Sequence, residues 1–547
     1  MSDALTLLLV VLAALAWLAR AAPVTLVAAR MLQIEEYEQA RFVRWGMTRG
    51  WIAHRSVVAA ATVSVAALVS ALLTHALGER IVAAGWLVAS LSAALLWRWA
   101  EAKRPLVLTA RMRRILGVSA AYAVVLAAGV AALLITGAWP AAAILCIAPL
   151  AAVPVVSQVL LVAADQSLRP VEAAIRRRYL RTARARVREL SPLVVAVAGS
   201  YGKTSTKHIL AQLLAGQVEV LPTRKSFNTL MGVTRVINED LAASHRLFIV
   251  EMDAYARGEI AAMGDLVHPS FAVLTSVGPQ HLERFGDMQA ISDALYEVVQ
   301  ALPADGTAFI HAGDEGGTAL AARAAGEGRT VVRYGVAGDS RGSDVTASDI
   351  VIDARGASFR WSWPQQKVER AVSIPLLGRH QVLNVTVALA VVHHLGHGLD
   401  AAVEAAAHLQ PVEHRLQSMP QTGPVRVIDD SYNANPVGVH DALDVLAAMN
   451  GAKVLVTPGL VELGPVEDTE NRRYGEHAAT VCDHVIVMDA RPAAALQAGL
   501  RAGGMSPERI HLARSLPEAT AIIGRITRAG DTVLFANDLP DTYLAGV

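Results

Sequence analysis

Leu193-Val-Val-Ala-Val-Ala198 runs directly into Gly199-Ser-Tyr-Gly202-Lys203-Thr204-Ser205-Thr206, and a helical pattern over Lys207–Leu214 follows. An apolar β-prone run, a glycine-bearing turn and a helix start in that order describe a strand–loop–helix unit that binds phosphate. Glycine lets backbone N–H groups approach phosphate oxygens, and the helix N-terminus adds a dipole that favours negative charge. Lys203 is placed to pair with β- and γ-phosphates, and the Thr204 hydroxyl to ligate Mg²⁺. Gly199, Ser200, Tyr201, Gly202 and Ser205 complete the cradle. The spacing is shorter than the commonest form of this loop, because Val197 stands where that form has its first glycine.

Outward from this unit, apolar runs alternate with helical patterns, as a mostly parallel α/β sheet requires. Strands are expected at Leu247–Val250, Phe271–Thr275 and Thr307–His311, with a polar, weakly periodic strand-like stretch at 330–375. Pro411 to Gln421 reads as a boundary. A second alternation follows, with strands at Val425–Ile428, Val454–Thr457, His484–Met488 and Thr532–Phe535. Glu251 ends one expected strand, in Glu251-Met-Asp-Ala-Tyr-Ala-Arg-Gly-Glu-Ile260, and His281 follows another, in Thr275-Ser-Val-Gly-Pro-Gln-His281. Groups at the C-terminal ends of parallel strands sit where such sheets bind ligands. Thr204, Glu251 and His281 together suit an octahedral Mg²⁺ completed by water and phosphate.

The rest of the composition excludes a purely soluble chain. Of 547 residues, 53% are hydrophobic and only 18% charged, which also excludes disorder. Residues 1–192 hold 21 Lys and Arg against 9 Asp and Glu, and the remaining 355 hold 28 against 39. Two chemically different parts are therefore joined. The two cysteines, Cys146 and Cys482, fall one in each part, so no disulfide framework is implied. Apolar stretches cover 4–19 (milder to 29), 57–74 and 81–97, and no charge occurs from Ile115 to Ala164, with a hairpin signal at Gly137-Ala-Trp-Pro140. These predict an all-α transmembrane module over 1–168 with about five helices. Basic residues gather in 30–55, in 98–114 and after Arg169, which with five spans lie on one side. That side is cytoplasmic, so the N-terminus is expected outside and the rest of the chain inside. The arginines of 176–188 fall in a basic juxtamembrane linker (169–191) and are expected to meet anionic lipids, not nucleic acid.

The ordered motifs of the second part resemble the Mur ligases, MurF type. They are Gly199–Thr206, Ser226-Phe-Asn228, Glu251–Ile260, Gly278–Gly286, Gly378-Arg-His380-Gln-Val-Leu-Asn384, Glu413-His-Arg415-Leu, Asp429-Asp-Ser-Tyr-Asn-Ala-Asn-Pro436 and Glu462-Leu-Gly464. The resemblance implies a central P-loop ATPase domain (192–411) and a C-terminal Rossmann-like ligase domain (412–547) that close on each other. It implies ATP and Mg²⁺ as cofactors. The implied reaction is ADP-forming amide synthesis through an acyl phosphate, adding D-alanyl-D-alanine or another amine to a muramoyl-peptide or related carboxylate in peptidoglycan synthesis. It further implies Lys203, Glu251, His281 and Arg415 as catalytic, Asn384 at adenine, Asp430 at ribose, and Asn228, Asn433 and Asn435 at the substrates. Three positions depart from the resemblance. Leu295 stands where these ligases usually carry a carbamylated lysine that holds a second Mg²⁺, so that either one Mg²⁺ suffices or another group, such as Glu297, substitutes. Asn537 stands where a lysine is usual. A membrane module replaces the soluble domain that grips the UDP-sugar, so the acceptor is expected at the membrane, on a lipid carrier, with a merely tethered enzyme for a soluble, UDP-linked acceptor as the alternative. A membrane-tethered ligase for another envelope polymer or metabolite, and a catalytically lapsed ATP-binding scaffold, are the alternatives.

Overall fold

The computed structural model describes residues 4–35, 37–48, 55–73, 78–96, 105–136, 153–225, 227–338, 342–420, 423–432 and 434–538. The chain divides into two compact units, Met1–Arg176 and Arg177–Val547.

In the first unit, helices cover Ala4–Ile34, Gln39–Thr48, Arg55–Leu73, Gly78–Leu96 and Ala110–Ile135, and a further helix begins at Val153. Among the described residues, two helices are long and apolar enough to cross a membrane, Ala4–Ile34 and Ala110–Ile135; Thr62–Leu73 and Arg80–Leu91 are shorter apolar runs. The expected hairpin at Gly137–Pro140 lies outside the described residues. Trp17, Phe42, Trp86 and Met112 are buried where the helices meet, whereas Leu8, Leu15, Val125 and Val159 face outward. Asp165 is buried and accepts from Arg111 Nη2 (2.9 Å) and Gln39 Nε2 (2.8 Å), because a buried carboxylate needs charge and hydrogen bonds around it.

Residues 169–190 of the segment read from the sequence as a linker belong to one helix, Val153–Leu190. Its Ala, Arg, Leu and Glu residues are strong helix formers, and they carry the helix through Pro170.

The second unit holds two sheets. The larger has the order β2-β3-β1-β4-β5-β6-β7-β8-β9, with β1 Leu193–Ala198, β2 Val220–Pro222, β3 Leu247–Glu251, β4 Phe271–Leu274, β5 Thr307–His311, β6 Thr330–Val336, β7 Val345–Asp353, β8 Gly356–Trp363 and β9 Val368–Ile374. β1 to β7 pair in parallel, and β8 and β9 close the edge as an antiparallel ribbon. β1 is buried on both faces, which is why its sequence is continuously apolar. Val195 and Val197 pack with Ile209, Leu213 and Val385 from helices Lys203–Leu214 and Arg379–His394. Val194, Ala196 and Ala198 pack on the opposite side with Val236, Met263 and Val298 from helices Leu230–Glu239, Glu259–Val267 and Met288–Gln300.

The smaller sheet has the order β10-β11-β15-β12-β13-β14, with β10 Gln417–Ser418, β11 Arg426–Asp430, β12 Lys453–Thr457, β13 His484–Met488, β14 Ile510–Ala513 and β15 Thr532–Ala536. β10 alone is antiparallel. The crossover that inserts β15 between β11 and β12 brings Asn537 back to the loop after β11.

Candidate active site

The loop after β1 lies at the C-terminal edge of the large sheet, where the strands on either side diverge into loops. Gly199 (φ 136°) and Gly202 (φ 84°) adopt backbone conformations that side chains resist. A Cβ on Gly199 would lie 2.0 Å from Thr275 Oγ1, so the loop presses against the end of β4. Ser200 locks it there: its N–H donates to Ser276 O (2.7 Å) and its Oγ to Gly278 O (2.9 Å). Tyr201 bridges to Ser276. Gly202 is the N-cap of helix Lys203–Leu214, whose first-turn amides therefore face the loop.

Thr204 Oγ1 donates to Glu251 Oε1 (3.0 Å), and the other Glu251 oxygen takes Lys207 Nζ at 2.8 Å. Asn228, expected at the substrate, donates to Glu251 Oε1 (3.1 Å) and to Asp253 Oδ2 (3.4 Å). Glu251 and Lys207 are almost wholly buried. Burial alone would raise the Glu251 carboxyl, but the charge and hydrogen bond of Lys207, the charge of Lys203 and the Thr204 bond hold it below the ordinary carboxylate range. Burial draws Lys207 downward against the opposing pull of Glu251. His208 is pushed down to about 4 by burial and then by Lys207. The sequence reading passed over Lys207. Its signal was present, since Lys203 and Lys207 are four apart and share one helix face.

His281, at φ 55°, gives Nδ1 to Glu462 Oε2 at 2.7 Å, a contact from the large-sheet domain to the small-sheet domain. Tyr255 packs edge-on to its ring at 4.5 Å. His281 shares a small cavity with Gly199, Ser200, Asp253 and Gln280, walled by Ile291, Ala294 and Leu295. Glu297, the expected substitute ligand, is spent elsewhere. Its oxygens accept from Gly258 N (2.6 Å) and Ala261 N (2.9 Å) at the start of helix Glu259–Val267, where a carboxylate answers the helix dipole.

Between the two sheets lies a cavity of about 430 Å³, within the usual size for a small-molecule site. Tyr201, Gly202, Ser205 and Asn384 line it from the large-sheet domain, and Arg415, Asp430 and Asn435 from the other. The Arg415 guanidinium stacks 4.8 Å from the Tyr432 ring, and its Nε is buried with no hydrogen-bond partner among the described residues. An orphaned guanidinium nitrogen in such a cleft fits a phosphate. Asn384 accepts from Thr206 Oγ1 (3.1 Å) and donates to Gln381 (3.2 Å), so its amide is held behind the loop. Asp430 accepts from Leu416 N at 3.0 Å, and burial pushes its carboxyl up to about 6. Asn435 caps helix Pro436–Ala447 through Gly438 N (2.8 Å). Asn433 lies outside the described residues. Asn537 joins the loop to the sheet, donating to Gly459 O (2.6 Å) and accepting from Ala434 N (3.3 Å). His311, Tyr334 and the His380–Asp441 pair (3.0 Å) also line or border the cleft, and the sequence reading named none of them as functional.

Hard oxygen donors on Thr204 and Glu251, beside a phosphate loop, fit Mg²⁺, which binds through one or two carboxylates plus phosphate. Among the described residues no three His, Cys, Asp or Glu side chains form a ready-made metal cage.

Residues 197–392 match the Mur ligase middle domain, and residues 414–537 match the Mur ligase glutamate ligase domain. The UDP-N-acetylmuramoyl-tripeptide–D-alanyl-D-alanine ligase of Mycobacterium leprae is 30% identical over 366 residues, covering 62% of this chain and 70% of that one. The chain belongs to the Mur ligase family. The enzyme of the same name from Escherichia coli (strain K12) is 32% identical over 285 residues, 52% of this chain; the match spans 62% of the E. coli protein's length. Among solved structures, the MurF ligase of Thermotoga maritima in complex with ADP aligns with a TM-score of 0.58 at 26% identity, covering 66% of this chain and 79% of that one. Within the family, the resemblance is to the MurF type.

Proposed function

We propose that this Mur ligase is an ATP-dependent, ADP-forming amide ligase that adds D-alanyl-D-alanine to a muramoyl-tripeptide carboxylate in peptidoglycan precursor synthesis. One observation carries the reading: the phosphate loop and the Arg415–Asp430 pair, from different sheets, line one cavity. The ADP complex of the T. maritima ligase and the names of the relatives agree with it. A substrate carboxylate oxygen attacks the γ-phosphorus, the bond to the β-phosphate oxygen breaks and ADP leaves. The amine then attacks the acyl carbon, phosphate departs and the amine proton is lost. Phosphoryl transfer asks for positioning and charge neutralisation above all. Mg²⁺ held by Thr204, Glu251 and His281 would neutralise phosphate oxygens. Lys203 pairs with β- and γ-phosphates, Arg415 reaches them from across the cleft, and Asp430 takes the ribose. Asn384 borders the base, and Asn228, Asn433 and Asn435 serve the substrates, with Asn228 acting through Glu251. Because Arg415 comes from the second domain, domain closure completes the site and keeps water from the acyl phosphate.

In this reading, 192–411 is the ATPase domain and 412–547 the ligase domain. Residues 1–168 are a five-span membrane module with its N-terminus outside and the ligase on the cytoplasmic face. The two long apolar helices, the outward Leu and Val side chains and the basic segments at 30–55, 98–114 and 169–188 support this. The arginines of 176–188 meet anionic headgroups, Arg186 apart because it donates to Leu241 O (2.7 Å), and the acceptor is presented on a lipid carrier.

The test is phosphate release by the detergent-purified chain with Mg·ATP and muramoyl-tripeptide, UDP-linked or lipid-linked, with and without D-alanyl-D-alanine. Release that requires both substrates and disappears in Lys203→Ala supports the reading. ATP binding without release on either acceptor refutes it, and equal rates on both refute the lipid preference.

A further inference from the structure

The large sheet is a ruler for whatever lies along its C-terminal edge. β4, β5 and β6 follow β1 in that order. Neighbouring strands lie about 4.8 Å apart, so the ends of β5 and β6 stand about 10 and about 14 Å from the phosphate loop. On a nucleotide whose β-phosphate rests on that loop, this is where the base falls, one phosphate and one ribose further on. His311 ends β5, Tyr334 and Val336 belong to β6, and all three line the cleft. Strand alternation turns His311 toward helix Arg379–His394. Two and four residues earlier on the same face, the Phe309 ring meets His394 edge-on at 5.4 Å and Thr307 Oγ1 lies 3.3 Å from His394 Nε2. Leu383 of that helix lines the cleft as well.

His311 is 7% exposed, with its ring 5.4 Å from that of Tyr334. Its Nδ1 lies 2.9 Å from Asp314 Oδ2. The same oxygen accepts from Val277 N (3.2 Å), and Oδ1 accepts from Gly317 N (2.6 Å) at the start of helix Glu315–Gly326. A carboxylate only accepts, so Nδ1 carries the ring hydrogen and the neutral imidazole keeps a lone pair on Nε2. Among the described residues Nε2 has no hydrogen-bond partner. The Tyr334 hydroxyl is spent on Leu274 O (3.4 Å) within the sheet, so Tyr334 offers the cleft its ring. This end of the cleft thus combines apolar walls with a hydrogen-bond acceptor of fixed polarity.

We propose that His311, held by Asp314, selects the nucleobase: Nε2 accepts from the exocyclic amine of adenine and turns away a 6-oxopurine. This deepens the ligase reading given above and rests on it. Adenine carries an N–H donor on C6, whereas hypoxanthine and guanine carry a carbonyl there. A carbonyl would set one lone pair against another in a site that is largely closed to water, and leave both acceptors unsatisfied.

The test compares Mg·ADP with Mg·IDP by calorimetry on the full chain in detergent. The wild type is expected to bind ADP about 10–100-fold more tightly. His311→Ala should weaken ADP and spare IDP, so that the ratio falls toward one. His311→Gln, whose amide can turn either its oxygen or its N–H to the base, should bring IDP up to ADP. A packing defect weakens both nucleotides alike and leaves the ratio where it was. Equal or reversed affinities in the wild type, or the wild-type ratio in either variant, would overturn the base selection and leave the ligase reading standing. A wild type that binds neither nucleotide overturns both.

Discussion

Lys207→Met separates an electrostatic role for this buried lysine from a packing role. Methionine keeps the length of the side chain and removes the charge beside Glu251, whose Oε2 lies 2.8 Å from Nζ. At that distance, with an effective dielectric of about 20, the attraction is about 6 kcal/mol. Desolvation of both ions offsets part of it, and removing one partner of a buried pair costs about 3–5 kcal/mol. The wild-type contribution has a definite pH window. Because the Glu251 carboxyl is held below its ordinary value, the stabilisation is present above the ordinary glutamate pKa and is lost as pH falls through the folded value. In Lys207→Met, burial is no longer opposed by the neighbouring cation, so the carboxyl rises and a proton competes with the metal. The assay is Mn²⁺·ADP affinity from pH 6 to 8.5 by calorimetry. Wild-type affinity should change little, whereas the variant's should fall about tenfold per pH unit on its acid limb. At the alkaline end the variant should bind as tightly as the wild type or tighter, because a cation beside the metal has gone. Parallel profiles for the two proteins would refute the reasoning, since a packing defect lowers affinity at every pH.

Four further outcomes follow from the same geometry. Asp430, pushed up to about 6 by burial, is expected to weaken nucleotide binding as pH drops below that value, because a protonated carboxyl accepts poorly from ribose. Its ionisation costs the fold more as pH rises from the ordinary aspartate value to about 6, so Asp430→Asn should stabilise the chain at pH 8 by about 2–3 kcal/mol in thermal unfolding, while weakening ADP. Glu297→Gln should lower stability by about 1–2 kcal/mol, through its two amide bonds at the start of helix Glu259–Val267, and leave Mn²⁺ binding unchanged; a lost Mn²⁺ would make Glu297 a ligand after all. Glu462→Gln should weaken Mn²⁺·ADP by about 10–100-fold, as expected for a group that orients a metal-bound histidine. Unchanged affinity would mean that the His281–Glu462 contact only joins the domains.

What the sequence made legible was local. The run Leu193–Ala198 followed by Gly199–Thr206 names its own fold, because a strand buried on both faces must be apolar throughout and a phosphate loop must place its glycines where backbone approaches ligand. Motif order then carried the family, and with it Arg415 and Asp430 at the cleft between the sheets, Glu251 against Thr204, and His281 in a separate small cavity. Groups whose roles come from spatial neighbours were not legible. Lys207 looks like a surface lysine on a helix until strand β3 places Glu251 against it. The segment 169–191 looks like a linker because its charge says nothing of helix continuity, although its propensities do. Glu297 shows the same limit from the other side. It lies only two residues from Leu295 in sequence, but a two-residue step on a helix turns the side chain well away from the first. It therefore meets the helix Glu259–Val267 and leaves hydrocarbon facing His281. Along a strand end the same two-residue step returns to one face, so Glu251 and Asp253 converge on Asn228 and the loop. The period of the backbone thus sets Glu251 and Asp253 on the side of the phosphate loop and turns Glu297 to the start of helix Glu259–Val267.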